Sequence, residues 1–166
     1  MAKFKRGHFE APKPKKDGGG STVQFDYSVE KHCVYMTVAK QFENTTVSNA
    51  RFNYEEKLVC KMGPNDISEF VRLFIGKTSA VGGEKGLYHQ FERDGAKIST
   101  TIKCVKNDKY SGFYLTVLKS GASVAVPITD SEAETLRVLL EQALLNIHGW
   151  IYLEKDEEFV KVEKGE

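Results

Sequence analysis

Residues 122–144, ASVAVPITDSEAETLRVLLEQAL, pass from a β-rich run directly into an amphipathic helix. Gly121 to Ile128 has the composition of a strand. Beyond it Leu136, Leu139, Leu140, Ala143 and Leu144 recur at spacings of three and four, the period of one helical face. Thr129, with Glu132 three residues on, supplies a capping box at the junction. The same order occurs upstream. Ile67, Phe70, Val71 and Phe74 share one helical face, and Pro64, Asn65 and Asp66 are its start signals.

A shift of 65 residues brings Arg72 onto Arg137, Glu69 onto Glu134, Val71 onto Leu136, Phe74 onto Leu139 and Ile75 onto Leu140. It also lays Lys57 to Lys61 on Ala122 to Val126, so strand, turn and helix repeat together. Alternating or β-rich stretches at Val23 to Val29, His32 to Lys40, Ser48 to Tyr54 and Glu56 to Met62 are answered by Leu87 to Arg93, Lys97 to Val105, Phe113 to Lys119 and Gly121 to Ile128.

The predicted fold is therefore α+β: a four-stranded antiparallel sheet followed by a helix, duplicated as ββββα-ββββα about a pseudo-two-fold. Such a sheet needs a cover for its apolar face, and a helix after the last strand provides one. The expected organisation is a flexible basic arm over 1–22, a duplicated domain over 23–152 and an acidic tail over 153–166. Repeat 1 spans about 23–76 and repeat 2 about 87–148. The arm carries Lys3, Lys5, Arg6, Lys13, Lys15 and Lys16 and ends in the glycine run at 18–20. The glycine-rich link from Gly76 to Gly86 is the expected mobile loop.

The totals exclude several classes. With 166 residues the chain has room for one respectable core, and 24 Lys and Arg against 23 Asp and Glu is not the balance of a uniformly basic nucleic-acid coat. Basic surface must be local. Cys33, Cys60 and Cys104 are odd in number and set among apolar neighbours, as buried free thiols in a reducing compartment are. No apolar run approaches the roughly 20 residues that span a bilayer, and the first residues lack a secretory signal's apolar stretch. The expectation is a cytoplasmic protein, nucleoid or nuclear if bound to DNA, with no membrane partner.

Catalytic and metal signatures are missing. There is no glycine-rich phosphate loop and no nucleophile elbow, and His8, His32, His89 and His148 are far apart. His32-Cys33 with Cys60 lacks the paired spacing of a zinc site. The reading is a non-enzyme without metal or other cofactor. Trp150, with Ile151 and Tyr152, follows the second helix; core packing is the favoured reading and contact with a second copy the alternative.

The organisation strand-strand-strand-strand-helix, twice in one chain over roughly residues 23 to 148, resembles the Whirly family, and the single unit resembles the positive cofactor four family of single-stranded DNA-binding coactivators. The second half carries it best, in the passage from Val126 through Pro127 and Thr129 into the acidic start and leucine spacing of the helix. The resemblance implies binding of single-stranded DNA or RNA across the outer sheet faces. The residues themselves agree. Lys97, Ser99, Thr101 and Lys103 alternate with apolar residues on one strand, with Tyr88 and Gln90 before them and Tyr114 and Thr116 after. Aromatic rings interleaved with lysine offer stacking for bases and charge for phosphates. In the first half Tyr35 and Thr37, and likewise Arg51 and Asn53, alternate with apolar or aromatic residues and offer the same chemistry. Two loops read as equivalent hairpins, one with Lys40 and Phe42, the other with Lys106, Lys109 and Tyr110.

The expected function is single-stranded nucleic-acid binding of low sequence specificity, DNA before RNA, in replication, repair, recombination or transcription. A homo-oligomer and protein partners recruited by the acidic tail accompany that reading. The alternative is a protein-interaction or scaffold module of the same fold.

Overall fold

Val34, Met36 and Val38 are fully buried while Tyr35 and Thr37 between them are half-buried, the period-two signature of a strand with one face on a core. The computed structural model describes residues 7–150. Strands β1 (His8–Lys13), β2 (Ser21–Ser28), β3 (Cys33–Lys40) and β4 (Leu58–Met62) form one antiparallel sheet in chain order, followed by helix α1 (Pro64–Phe74). Strands β5 (Leu87–Arg93), β6 (Ala96–Lys106), β7 (Phe113–Lys119) and β8 (Ala122–Ile128) form a second, followed by α2 (Asp130–Ile147).

Register places the apolar residues in rows. Phe25 faces Met36, which faces Cys60; Ile102 faces Val117, which faces Val124. The helices cover these rows with Ile67, Phe70 and Leu73 from α1 and Leu136, Leu140 and Ala143 from α2, and both sheets share one core. A file of rings, Phe9, Phe25, Phe70, Phe74 and Phe113, runs from β1 through α1 to β7, with successive centroids 6.2, 6.0, 5.9 and 5.0 Å apart. Edge-on contacts of this kind add about 0.5–1.5 kcal/mol each beyond burial. Helix α2 begins as expected: Thr129 Oγ1 accepts from Glu132 N, and Glu132 Oε2 accepts from Thr129 N at 2.8 Å.

The first repeat differs from expectation in one strand. Ser48 to Tyr54 is not a strand; a 3-10 turn at Val47–Asn49 overlaps its start, and its backbone pairs through a single isolated bridge, Gln41 to Phe52. The fourth strand is β1, inside the expected flexible arm. There Phe9 and Ala11 alternate inward, and Pro12 is tolerated because an edge strand has one side free of ladder bonds. The glycine run that follows is a packed turn. Gly18 and Gly20 are buried, and a Cβ on Gly20 would stand 2.3 Å from Lys13 O and from Gln41 Oε1. The arm is therefore ordered from His8 onward, and its first six residues lie outside the described ones.

Counting β1 shifts the strand correspondence by one, so β1 answers β5 and β3 answers β7. The loop after Lys40 then answers the short turn at Ser120 and Gly121, not the hairpin at 106–112. The link from Gly76 to Gly86, the expected mobile loop, is bonded to β6. Val81 is fully buried and its N–H donates to Cys104 O at 2.9 Å, while Lys106 N donates to Ser79 O at 3.1 Å. Trp150 does not pack on the core. It is 71% exposed, with its ring stacked on His148 at 4.8 Å. Ile151, Tyr152 and the acidic tail lie outside the described residues.

Candidate nucleic-acid interface

The outer face of the second sheet is open to solvent. On it Tyr88 lies opposite Thr101, and Thr101 opposite Leu118; the next row is Lys103 and Thr116; the next is Val105 and Tyr114. Rows on one face are roughly 7 Å apart and strands roughly 5 Å, so Tyr88 and Tyr114 stand roughly 17 Å apart on a diagonal with Lys103 between them. Tyr88 is 61% and Tyr114 46% exposed. Such a diagonal offers ring, ammonium and ring in sequence, with Thr101 and Thr116 hydroxyls beside them. Gly86 permits it. Its φ is +76°, and a Cβ there would lie 2.5 Å from Ile102 O and 2.8 Å from the Lys103 side chain. Lys97 is farther along the face, opposite Glu92, where a neighbouring charge opposes it.

Beyond Tyr114 the β6–β7 hairpin continues the surface. Asn107 Oδ1 accepts from the backbone N–H groups of Lys109 and Tyr110, shaping the tip, and Tyr110 is 75% exposed. Lys106 is exposed at the end of β6.

Tyr114 also lines a groove of about 880 Å³ with Pro127, together with Lys13, Lys15, Lys40 and the packed glycine turn; Asp17 and Glu43 line it as well. A hollow of about 470 Å³ adjoins it, lined by Lys40, Phe42 and Arg51 among others, with Glu43 and Glu56 present as well. Lys40, Phe42 and Arg51 therefore converge, although Arg51 reaches the site from a loop and not from a sheet face. The wall is set by Gln41, which is almost wholly buried. Its Oε1 accepts from Lys15 N at 2.7 Å and Gly20 N at 3.1 Å, and its Nε2 donates to Lys15 O at 3.0 Å and Thr45 O at 2.9 Å.

The outer face of the first sheet is different. Tyr35 lies there between Asp26 and Lys61, apart from the other candidates. Its β1–β2 half is covered by Tyr54, whose hydroxyl accepts from Gln24 Nε2 at 2.8 Å and donates to Glu10 Oε1 at 3.1 Å. Partial burial, and then the Glu10 charge, hold the Tyr54 hydroxyl above its ordinary pKa. Asp26 is bonded to His8 at 2.6 Å. The two sheets of the duplication thus present unlike faces, one basic and aromatic, one bearing carboxylates and partly closed.

Sequence reasoning missed Lys15, Gln41 and Tyr54. Lys15 was counted in the arm, and a glutamine just past a strand carries no periodic signal. Among the described residues no helix is long and apolar enough to cross a membrane.

Two four-stranded sheets, each followed by a helix and joined as a pseudo-two-fold pair, define a Whirly-like fold. Trypanosoma brucei MRP1/MRP2 shares it, with a TM-score of 0.61 at 13% identity over 90% of each chain. The plant transcriptional regulator PBF-2 matches with a TM-score of 0.63 at 15% identity, over 86% of this chain and 82% of its own. A guide-RNA-binding protein complex bound to a gRNA gives 0.62 at 13%, over 90% of this chain and 96% of that one. At these identities the likeness is one of fold. No protein-family model matches the chain, and no curated protein matches it in sequence.

Proposed function

We propose that the protein binds single-stranded nucleic acid, DNA before RNA, with low sequence specificity, as a non-enzymatic factor in replication, repair, recombination or transcription. The observation that carries this reading is the Tyr88, Lys103, Tyr114 diagonal on an open sheet face, continued by the Lys40 groove. Stacking on Tyr rings accepts every base, and lysine at the phosphates reads none, so affinity without sequence preference follows. The similar structures support it: one holds a guide RNA and another is of a transcriptional regulator. Location with DNA, in cytoplasm, nucleoid or nucleus, belongs to the same reading, as do self-association and partners drawn by the acidic segment after residue 152.

The test is fluorescence anisotropy with labelled single-stranded and duplex DNA and RNA at low and physiological salt. Single-strand binding that weakens as salt rises, with duplex binding far weaker, is the expected result. No binding at low salt overturns the reading in favour of a protein-interaction module.

A further inference from the structure

A second concave surface lies on the other side of β5. The free edge of β4 and the far half of the β5–β6 hairpin enclose a cleft of about 250 Å³, lined by Val59, Lys61, His89, Phe91, Thr100 and Lys119 among others. Among the described residues no carboxylate lines it. The nearest that the structure pairs with a lining residue is Asp66, 3.3 Å from His89 Nε2 and also accepting from Gly63 N at the start of α1.

Phe91 stands on the inward side of β5, opposite Ile98, yet is 47% exposed. The reason is topological. Strand β7 ends at Lys119, opposite Thr100, so among the described residues the hairpin beyond Thr100 has no third strand beside it. The Phe91 ring therefore offers solvent a face that its parity would assign to the core. Lys119 Nζ donates to Val59 O at 2.6 Å and lies over one face of the Phe91 ring, 5.8 Å from its centroid. An ammonium has three donors, so this bond leaves two for a ligand while anchoring the group against the β4 edge. Lys61 is exposed on the opposite wall and has Tyr35 as its register partner.

Two ammonium groups with no lining carboxylate complement a phosphodiester, and an open ring beside them complements a base. We propose that this cleft is a second nucleotide subsite, holding one phosphate on Lys61 and Lys119 and stacking the adjoining base on Phe91. A strand leaving Tyr88 reaches it by turning around the free edge of β5, since Tyr88 and Phe91 lie on opposite sides of that strand. This inference rests on the single-strand reading above and extends its footprint.

The experiment uses the full chain carrying F91W, read against the parent, whose one tryptophan is Trp150. Titration with oligothymidylate of about 20 nucleotides is expected to quench the emission added at position 91, along the same isotherm that anisotropy reports. K61A and F91A are each expected to weaken that oligomer about tenfold and to spare one of about 6 nucleotides, which the outer face alone holds. K61A should also lower the slope of log affinity against log salt by about 0.7. Binding that remains sensitive to Y114A, with no quenching at 91 and no effect of K61A or F91A, overturns the subsite and leaves the outer-face reading standing. No binding by the parent protein at low salt overturns both.

Discussion

Lys13 Nζ lies 2.5 Å from Oε1 and 2.6 Å from Oε2 of Glu132, joining the last residue of β1 to the first turn of α2. The same carboxylate closes the capping box with Thr129 N. One side chain thus starts the second helix and fastens the first strand to it. Partial burial would raise the Glu132 pKa, but the bonds from Lys13 and Thr129 outweigh it and hold the group below its ordinary value of 4.5.

Because the folded pKa is depressed, this contribution to stability is complete above the ordinary carboxylate range and is lost as pH falls through the folded value. Urea denaturation at stepped pH is expected to show the parent losing more stability than Glu132→Gln between about pH 5 and pH 3. At neutral pH, Glu132→Ala should cost about 1–2 kcal/mol and Lys13→Ala less than about 1 kcal/mol, since the first removes the acceptor for Thr129 N as well as the ion pair, and the second the ion pair alone.

Replacing Gln41 removes a buried hub. Gln41→Ala leaves the N–H groups of Lys15 and Gly20 and the carbonyl of Thr45 without their partner, at an expected cost of about 1–3 kcal/mol in chemical denaturation. Amide exchange should accelerate at residues 15–20 and 42–45 and stay unchanged in β6 and β7. Equal acceleration throughout would show that Gln41 does not act locally.

All three cysteines are buried. Burial raises the Cys104 thiol to about 12 and the Cys60 thiol to about 11, the latter against a lowering by Lys119. Thiolate is the reactive form, so iodoacetamide at pH 8 is expected to leave Cys60 and Cys104 unmodified in the native protein and to label both in denaturant. Rapid native labelling of Cys104, read by mass spectrometry, would contradict its place on β6 between Leu115 of β7 and Val81 of the link.

Tyr114→Ala should weaken single-strand binding by about 1–3 kcal/mol without changing its salt slope, because it removes stacking and not charge. Lys103→Ala should lower the slope by about 0.7 and weaken all sequences alike. Tyr35→Ala should have the smaller effect on short oligomers, since the first sheet's outer face carries carboxylates. Anisotropy across a salt series separates these outcomes.

How much was legible depended on periodicity. Strands β5 to β8 and both helices fall within a residue or a few of their expected bounds, because each alternates or repeats over a full face and each helix has its start signal. Strand β1 was hidden by lysines and Pro12, residues that an edge strand accepts and a central strand does not. The stretch Ser48 to Tyr54 has strand-like alternation, but Tyr54 spends its ring and hydroxyl covering the first sheet instead of pairing. For the site, Tyr88, Lys97, Lys103 and Tyr114 could be placed on one face by parity alone. The meeting of Tyr114 with Lys40, and of Phe91 with Lys61 and Lys119, could not.

The amino-acid sequence by itself determined the repeat, the α+β class, the helices and which side of β5, β6 and β7 looks outward. Those properties follow from local period and from caps, whose partners lie within a few residues. Only the tertiary structure decided that the two sheets present unlike faces, that β1 locks onto α2 through Lys13 and Glu132, and that two grooves open where the sheets meet. Such features depend on where strands end and which edges abut, and residues more than 50 apart in the chain, such as Val59 and Lys119, meet only once the shared core has set the sheets against each other.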